Sequence, residues 1–316
     1  MFSSTVIPTV GRSTLARSVE SVLRQTVGRD QFEVVVVNDS DGPLVAAEWQ
    51  QSKSVRIVHT RRRERSVARN TGAALARGRY LHFLDDDDWL APDAFEHLWE
   101  LARSRAAGWV YGHSQLVDRQ GQAILRLRHA LSGNCFVQAM AGEWVPLQAS
   151  LIDADTFFAV GGFNPLVSGP EDVDLLRRVS LQSDLAVTPN VVACISWGAE
   201  HSTTDYRRHP EQSRLAREQI LDRTGVLRRM RASAGSSYWR GRIVRAYATS
   251  LVWNVRRKHL MTAASRGVFS LVALLSAGLD VFSPDFWRAV SRPHASEVFN
   301  QGLREAGRLA PPLSRP

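Results

Sequence analysis

Residues 79–93, RYLHFLDDDDWLAPD, constrain the fold of this chain more than any other stretch. Tyr80, Leu81, Phe83 and Leu84 are apolar and strand-prone, with His82 the one polar interruption, and this pattern predicts a buried strand. Four consecutive carboxylates, Asp85, Asp86, Asp87 and Asp88, follow before Trp89 and Leu90 turn apolar again. Pro92-Asp93 suits the first turn of a helix, where proline loses no bonded N–H and the acid meets the positive helix end. An acidic cluster is therefore pinned at the mouth of a core strand, the place where open α/β sheets hold their ligands. Like charges this close repel, so a cation among them or retained protons must relieve the repulsion. A plain solvated acidic turn is the alternative, and the core-like sequence on both sides argues against it.

The flanking sequence supplies a sheet for that strand. Residues 5–7 read as a first strand stopped by Pro8, and Ser13 suits the cap of a helix with Leu15, Val19, Val22 and Leu23 on one face. FEVVVV at 32–37 is a continuous apolar run, the mark of a central strand covered on both sides. It ends in Asn38-Asp39-Ser40-Asp41-Gly42-Pro43, which is dense turn chemistry. A third strand is expected at 55–58, then a basic stretch at 61–65 and a helix reaching Arg77 with Gly78 as its C-terminal cap. This alternation predicts an α/β fold with a mostly parallel sheet and helices on both faces. Further on, Asp118-Arg119-Gln120-Gly121 signals a hairpin. A short strand at 150–152 and a short helix stopped by Gly161-Gly162 come next. The loop at 168–170 then feeds a helix that carries Glu171, Asp172 and Asp174 in its first turn.

Beyond about residue 205 the character changes. Residues 1–200 hold 20 Lys and Arg against 23 Asp and Glu, whereas 201–316 hold 20 against 8, and together they give the formal +9. The expected organisation is a catalytic domain over 1–205 and a basic helical extension over 206–316. In the extension Trp239, Ile243, Tyr247, Leu251 and Val255 repeat at spacing four. Such a tail suggests an anionic surface nearby. The longest charge-free apolar run, 267–279, is too short to cross a bilayer. The N-terminus carries no signal-peptide pattern, and Cys135 and Cys194 form no disulfide framework or metal motif. They read as buried thiols in a reducing, cytoplasmic setting.

Four motifs in order, VIPTVGR, VVVVNDSDG, SVARNTGAALARGRYLHFLDDDDWLAPD and VGGFNPLVSGPEDVDLLRR, resemble family 2 glycosyltransferases of the GT-A fold across residues 3–205. The resemblance implies inverting transfer of a sugar from a nucleotide-diphosphate donor, with a UDP-sugar expected, to a saccharide or lipid-linked acceptor, helped by Mg²⁺ or Mn²⁺. It implies a nucleotide-binding set of Pro8, Thr9, Arg12, Asp39, Arg69 and Asp86, a metal set of Asp85, Asp87 and His201, and Asp172 as the general base. Hard oxygen ligands suit such ions, which bind through one or two carboxylates and substrate phosphates. Two positions depart from the family pattern. Val10-Gly11 replaces an aromatic-Asn pair, and Asn38-Asp39-Ser40-Asp41 replaces Asp-Asp-Gly-Ser, which loosens the expectation for the base. Trp144 and Gln148 are candidates for the acceptor pocket, with Trp144 equally suited to the core.

Two other classes share part of this pattern. A metal-dependent nucleotidyltransferase would want a Gly-rich phosphate loop with a downstream Lys, which is absent from the sequence. A non-catalytic nucleotide- or nucleic-acid-binding module would lean on the basic tail, which has no recognised nucleic-acid motif, so no nucleic acid is expected. The tail is expected to lie against the domain and to touch an anionic membrane peripherally.

Overall fold

The structure is a computed structural model that describes residues 1–61, 64–118, 120–167, 169–197 and 209–291. In chain order, β1 (Ser3–Thr9), α1 (Leu15–Leu23), β2 (Phe32–Asn38), β3 (Val55–His59), α2 (Arg65–Leu75) and β4 (Tyr80–Phe83) build the first half. These four strands lie side by side in the order β3-β2-β1-β4, all parallel. Within FEVVVV, Val34 and Val36 enter the core beneath α1, while Val35 and Val37 enter the one beneath α2. Strand alternation thus buries both faces, as the unbroken apolar run predicts.

The second half consists of β5 (Trp89–Leu90), α3 (Ala94–Ser104), β6 (Trp109–Val117), β7 (Ala123–Leu127), α4 (Phe136–Met140), β8 (Ser150–Asp153), α5 (Ala154–Ala159), α6 (Glu171–Gln182) and β9 (Leu185–Ser196). Here the sheet turns mixed. β8 runs antiparallel between β4 and β6, β9 is parallel to β6, and β5 and β7 pair antiparallel at the margins. The expectation of a mostly parallel sheet therefore describes β1 to β4, and the later strands complete a mixed sheet.

Three local expectations are corrected. Pro8 lies inside β1, opposite Val37. Along this strand the Val6 carbonyl serves Leu84 and the Thr9 carbonyl serves Asp39, so Pro8 faces the β4 side just past the end of that strand. Its missing N–H therefore removes no ladder bond. Helix α2 ends at Leu75, and Gly78 is not its left-handed cap; a Cβ there would sit 2.4 Å from the Ser3 carbonyl carbon. The glycine is needed because two backbones meet. Helix α1 starts after Thr14 rather than at a Ser13 cap. Both cysteines are free, with Cys135 buried and Cys194 only partly so.

After β9 come α7 (His209–Leu221), α8 (Val226–Ser233), α9 (Ser237–Arg256), α10 (Leu260–Ser276) and α11 (Pro284–Ser291). Left-handed Gly225 separates α7 from α8. A third core joins these helices to the domain: Phe136, Val137 and Met140 of α4 pack with Ile220, Met230, Tyr247 and Phe286. Of the spacing-four stripe on α9, Ile243 and Tyr247 are buried and Val255 is half-exposed. A repeat of four drifts around a helix of 3.6 residues per turn, so its far end leaves the core.

Candidate active site

The C-terminal ends of β1, β2 and β4 open on one edge of the sheet, and the turn after β4 carries the four aspartates there. Each aspartate has different partners. Asp85 accepts from Arg69 Nη2 at 2.6 Å and from Gln148 Nε2 at 2.8 Å. Asp86, nearly buried, accepts from Thr9 Oγ1 at 2.6 Å and from Arg12 Nη1 at 2.8 Å. Asp87 shares Arg12 Nη1 at 3.2 Å, and its carbonyl accepts from Arg17 and Ser196. Asp88 turns inward to the Ser196 N–H at 2.8 Å, which ties the turn to β9.

The electrostatics follow from these partners. Burial opposes the Asp85 charge, but Arg69, Arg65 and Gln148 outweigh it and hold this carboxyl below the usual range. Burial pushes Asp86 up despite Thr9 and Arg12. Asp87 is pushed up to about 6, by burial and then by Asp85. Asp88 is held well above the usual range by burial, Asp85 and Asp87. His82, the polar interruption of the strand, is fully buried and lowered to about 4 by that burial, with Thr5 and the Gln148 carbonyl as partners.

Helix α6 brings the second acidic pair to the same edge. Arg69 of α2 is buried and donates from Nη1 to Glu171 Oε1 at 2.9 Å while holding Asp85 with Nη2. Burial works against its charge, yet Asp85 and Glu171 prevail and raise its pKa. Arg65, one turn earlier on α2, reaches the same Glu171 oxygen at 3.2 Å. Asp172 is partly exposed at the start of α6. Burial and then Glu171 push it up to about 6, opposed by the Val173 N–H, Arg69 and Arg65. Asp174 is paired with Arg178 at 2.6 Å, and Arg177 donates to the Ala139 carbonyl.

The remaining expected residues fall into place unevenly. Thr9, Arg12, Arg69, Asp85, Asp86, Asp87 and Asp172 converge on this edge. Asp39 lies at the same edge, and its two carboxylate oxygens accept from Thr60 Oγ1 at 2.6 Å and from the Glu64 N–H at 2.7 Å, fastening the segment that leads into α2. Trp144 is partly buried and stacks edge-on with His129. His201 lies outside the described residues. Sequence reading missed Arg65 and the Glu64 cap, which accepts from Ser66 N and Val67 N. Arg65 and Arg69 stand four apart, a spacing that places both on one helix face.

The carboxylates fit a hard divalent ion in donor chemistry. Burial and its acidic neighbours raise the Asp87 carboxyl, a strain that a cation would relieve. Among the described residues no group of three or more His, Cys, Asp or Glu is arranged to hold a metal by itself.

Residues 4–139 match the family model for glycosyl transferase family 2. Over that stretch the chain is similar to family 2 glycosyltransferases. Over 90 residues it is 34% identical to the minor teichoic acid biosynthesis protein GgaB of Bacillus subtilis, covering 27% of this chain and 10% of that protein. Over 172 residues it is 31% identical to chondroitin synthase of Escherichia coli, covering 52% of this chain and 24% of that protein. The chain thus spans a quarter or less of the length of these relatives. Crystalline S. aureus TarS 1-349 in complex with UDP-GlcNAc superposes with a TM-score of 0.60 at 14% identity, covering 84% of this chain and 90% of that one. The sheet and its covering helices have the GT-A type of α/β fold.

Proposed function

We propose that this chain is an inverting glycosyltransferase that moves a sugar from a nucleotide-diphosphate donor, a UDP-sugar, to a hydroxyl of a saccharide or lipid-linked acceptor in cell-envelope polymer synthesis. The observation that carries this reading is the Arg69 guanidinium, which joins Asp85 to Glu171 and so sets the Glu171-Asp172 pair beside the aspartate turn. The UDP-GlcNAc held by the TarS structure, and the teichoic acid role in GgaB's name, support the donor and the pathway class.

In this reading Pro8, Thr9, Arg12 and Asp39 border the nucleotide at the strand ends. Asp85 and Asp87 would hold Mg²⁺ or Mn²⁺, with His201 as a further ligand, and the ion supplies charge for the departing diphosphate. Asp172 takes the proton of the acceptor hydroxyl as its oxygen attacks the anomeric carbon. The carbon–oxygen bond to the diphosphate breaks, and the electron pair leaves with the nucleoside diphosphate. Glu171 Oε2 is buried and finds no hydrogen-bond partner among the described residues. The reaction takes place at the cytoplasmic face of a membrane, with peripheral contact to anionic lipid.

The test is a thermal-shift screen of nucleotide sugars with and without Mn²⁺, followed by product analysis with the stabilising donor. Metal-dependent stabilisation and release of a nucleoside diphosphate are expected. Release of pyrophosphate would instead make the chain a nucleotidyltransferase.

A further inference from the structure

Among the described residues, the outer apolar face of helix α10 has no partner. Its buried side, Ala263, Arg266 and Ala273, packs inward, and Gly267 meets Leu251 of α9. Its outer side carries Met261, Val268, Leu271 and Leu275 at steps of seven, three and four, all more than half exposed, with Met261 88% and Leu275 72% exposed. Those steps keep the four side chains on one face. The stripe continues through the following 3-10 turn, Gly278–Phe282, where Leu279 and Phe282 are 85% and 81% exposed. Isolated exposed apolar residues are ordinary, whereas a contiguous run marks an interaction surface.

Charge identifies the occupant. Arg256, Arg257 and Lys258 are exposed at the corner where α9 turns into α10, directly before Leu260 and Met261. Residues 223–279 contain eleven Arg and Lys and no Asp or Glu. A second copy would bring its own exposed Arg256-Arg257-Lys258 corner to this face, and like charges oppose association. A surface that is apolar beneath and anionic above complements both features. No helix among the described residues is long and apolar enough to cross a membrane, and α10 has 17 residues. An amphipathic helix of this kind lies in the interface plane with its apolar side in the headgroup and acyl boundary.

We propose that the outer face of α10, with the Arg256-Arg257-Lys258 corner, docks this protein onto an anionic lipid surface. The inference deepens the membrane part of the proposed function and rests on none of its chemistry. It is tested by co-sedimentation of the full chain, without donor, with vesicles of phosphatidylcholine alone or mixed with phosphatidylglycerol. Binding to the mixed vesicles only is expected. Leu271→Ser with Leu275→Ser should weaken partitioning by about tenfold. Arg256→Gln, Arg257→Gln and Lys258→Gln together should weaken it by roughly fivefold per charge at low salt. All these positions are exposed, so melting curves should not change. Sugar transfer to a soluble acceptor, assayed on the same variants, should also be unchanged, which separates failure of this inference from failure of the transferase reading. The inference is overturned if the full chain ignores phosphatidylglycerol vesicles, or if the Leu variants bind as well as the parent. It is equally overturned if those variants dissociate a dimer instead, or if a chain ending at Ser291 gains vesicle binding that the full chain lacks.

Discussion

Arg69 donates to Glu171 across 2.9 Å, although 102 residues separate them in the chain. The other arm of the same guanidinium holds Asp85. Two acidic motifs on different elements, a strand-end turn and a helix start, are thus joined through one buried cation.

Removing that cation should damage fold and activity together. Arg69→Ala leaves two carboxylates facing each other in a largely buried place, and losing one partner of such a network costs about 3–5 kcal/mol. Chemical denaturation should show a loss of that size. Arg69→Lys keeps the charge but cannot span both partners with a planar fork, so it should restore part of the stability and little of the activity.

Asp172→Asn should reduce transfer by roughly 10²- to 10⁴-fold while donor binding persists, because general-base assistance is lost and the nucleotide contacts remain. Activity assays beside titration calorimetry separate the two. Binding lost together with activity would make Asp172 a structural acid.

The pH dependence follows from the raised Asp172. Its carboxyl must be ionised to accept a proton, so activity should fall as pH drops through about 6. The stability effect has the opposite sense. An acid raised on folding binds more protons in the native state, so its contribution is favourable below its unfolded value and is lost as pH rises through about 6. Asp172→Asn should therefore melt higher than the parent at pH 8, with the gap closing below pH 4.

Asp87→Asn should abolish the Mn²⁺-dependent part of the donor-induced thermal shift, since metal and donor stabilise by mass action. An unchanged shift would move the metal role away from Asp87.

Gly78→Ala should destabilise by about 1–3 kcal/mol, measured in urea, because the added carbon meets the β1 backbone rather than a flexible side chain. Activity of the surviving folded fraction should be normal.

Much of this was legible in the residues. FEVVVV, buried on both faces, and the strand leading into four aspartates declared themselves through local pattern alone, as did the acids opening α6. Helix ends were less legible: Gly78 looked like a cap, but its reason is a backbone packed against it from 75 positions away in the sequence. Pro8 looked like a strand end, but it is tolerated because the neighbouring strand has already stopped.

The amino-acid sequence by itself determined most of the elements, the sheet's parallel first half and the resemblance carried by its motifs, because periodicity, turn chemistry and motif order are local properties. Only the tertiary structure decided which aspartate meets Thr9, which meets Arg69, that Asp88 turns inward, and that α10 keeps an apolar face outward. Identical side chains in a row carry no mark of their future partners. Their differences arise only when distant elements fold around them and each finds its own burial and its own cation.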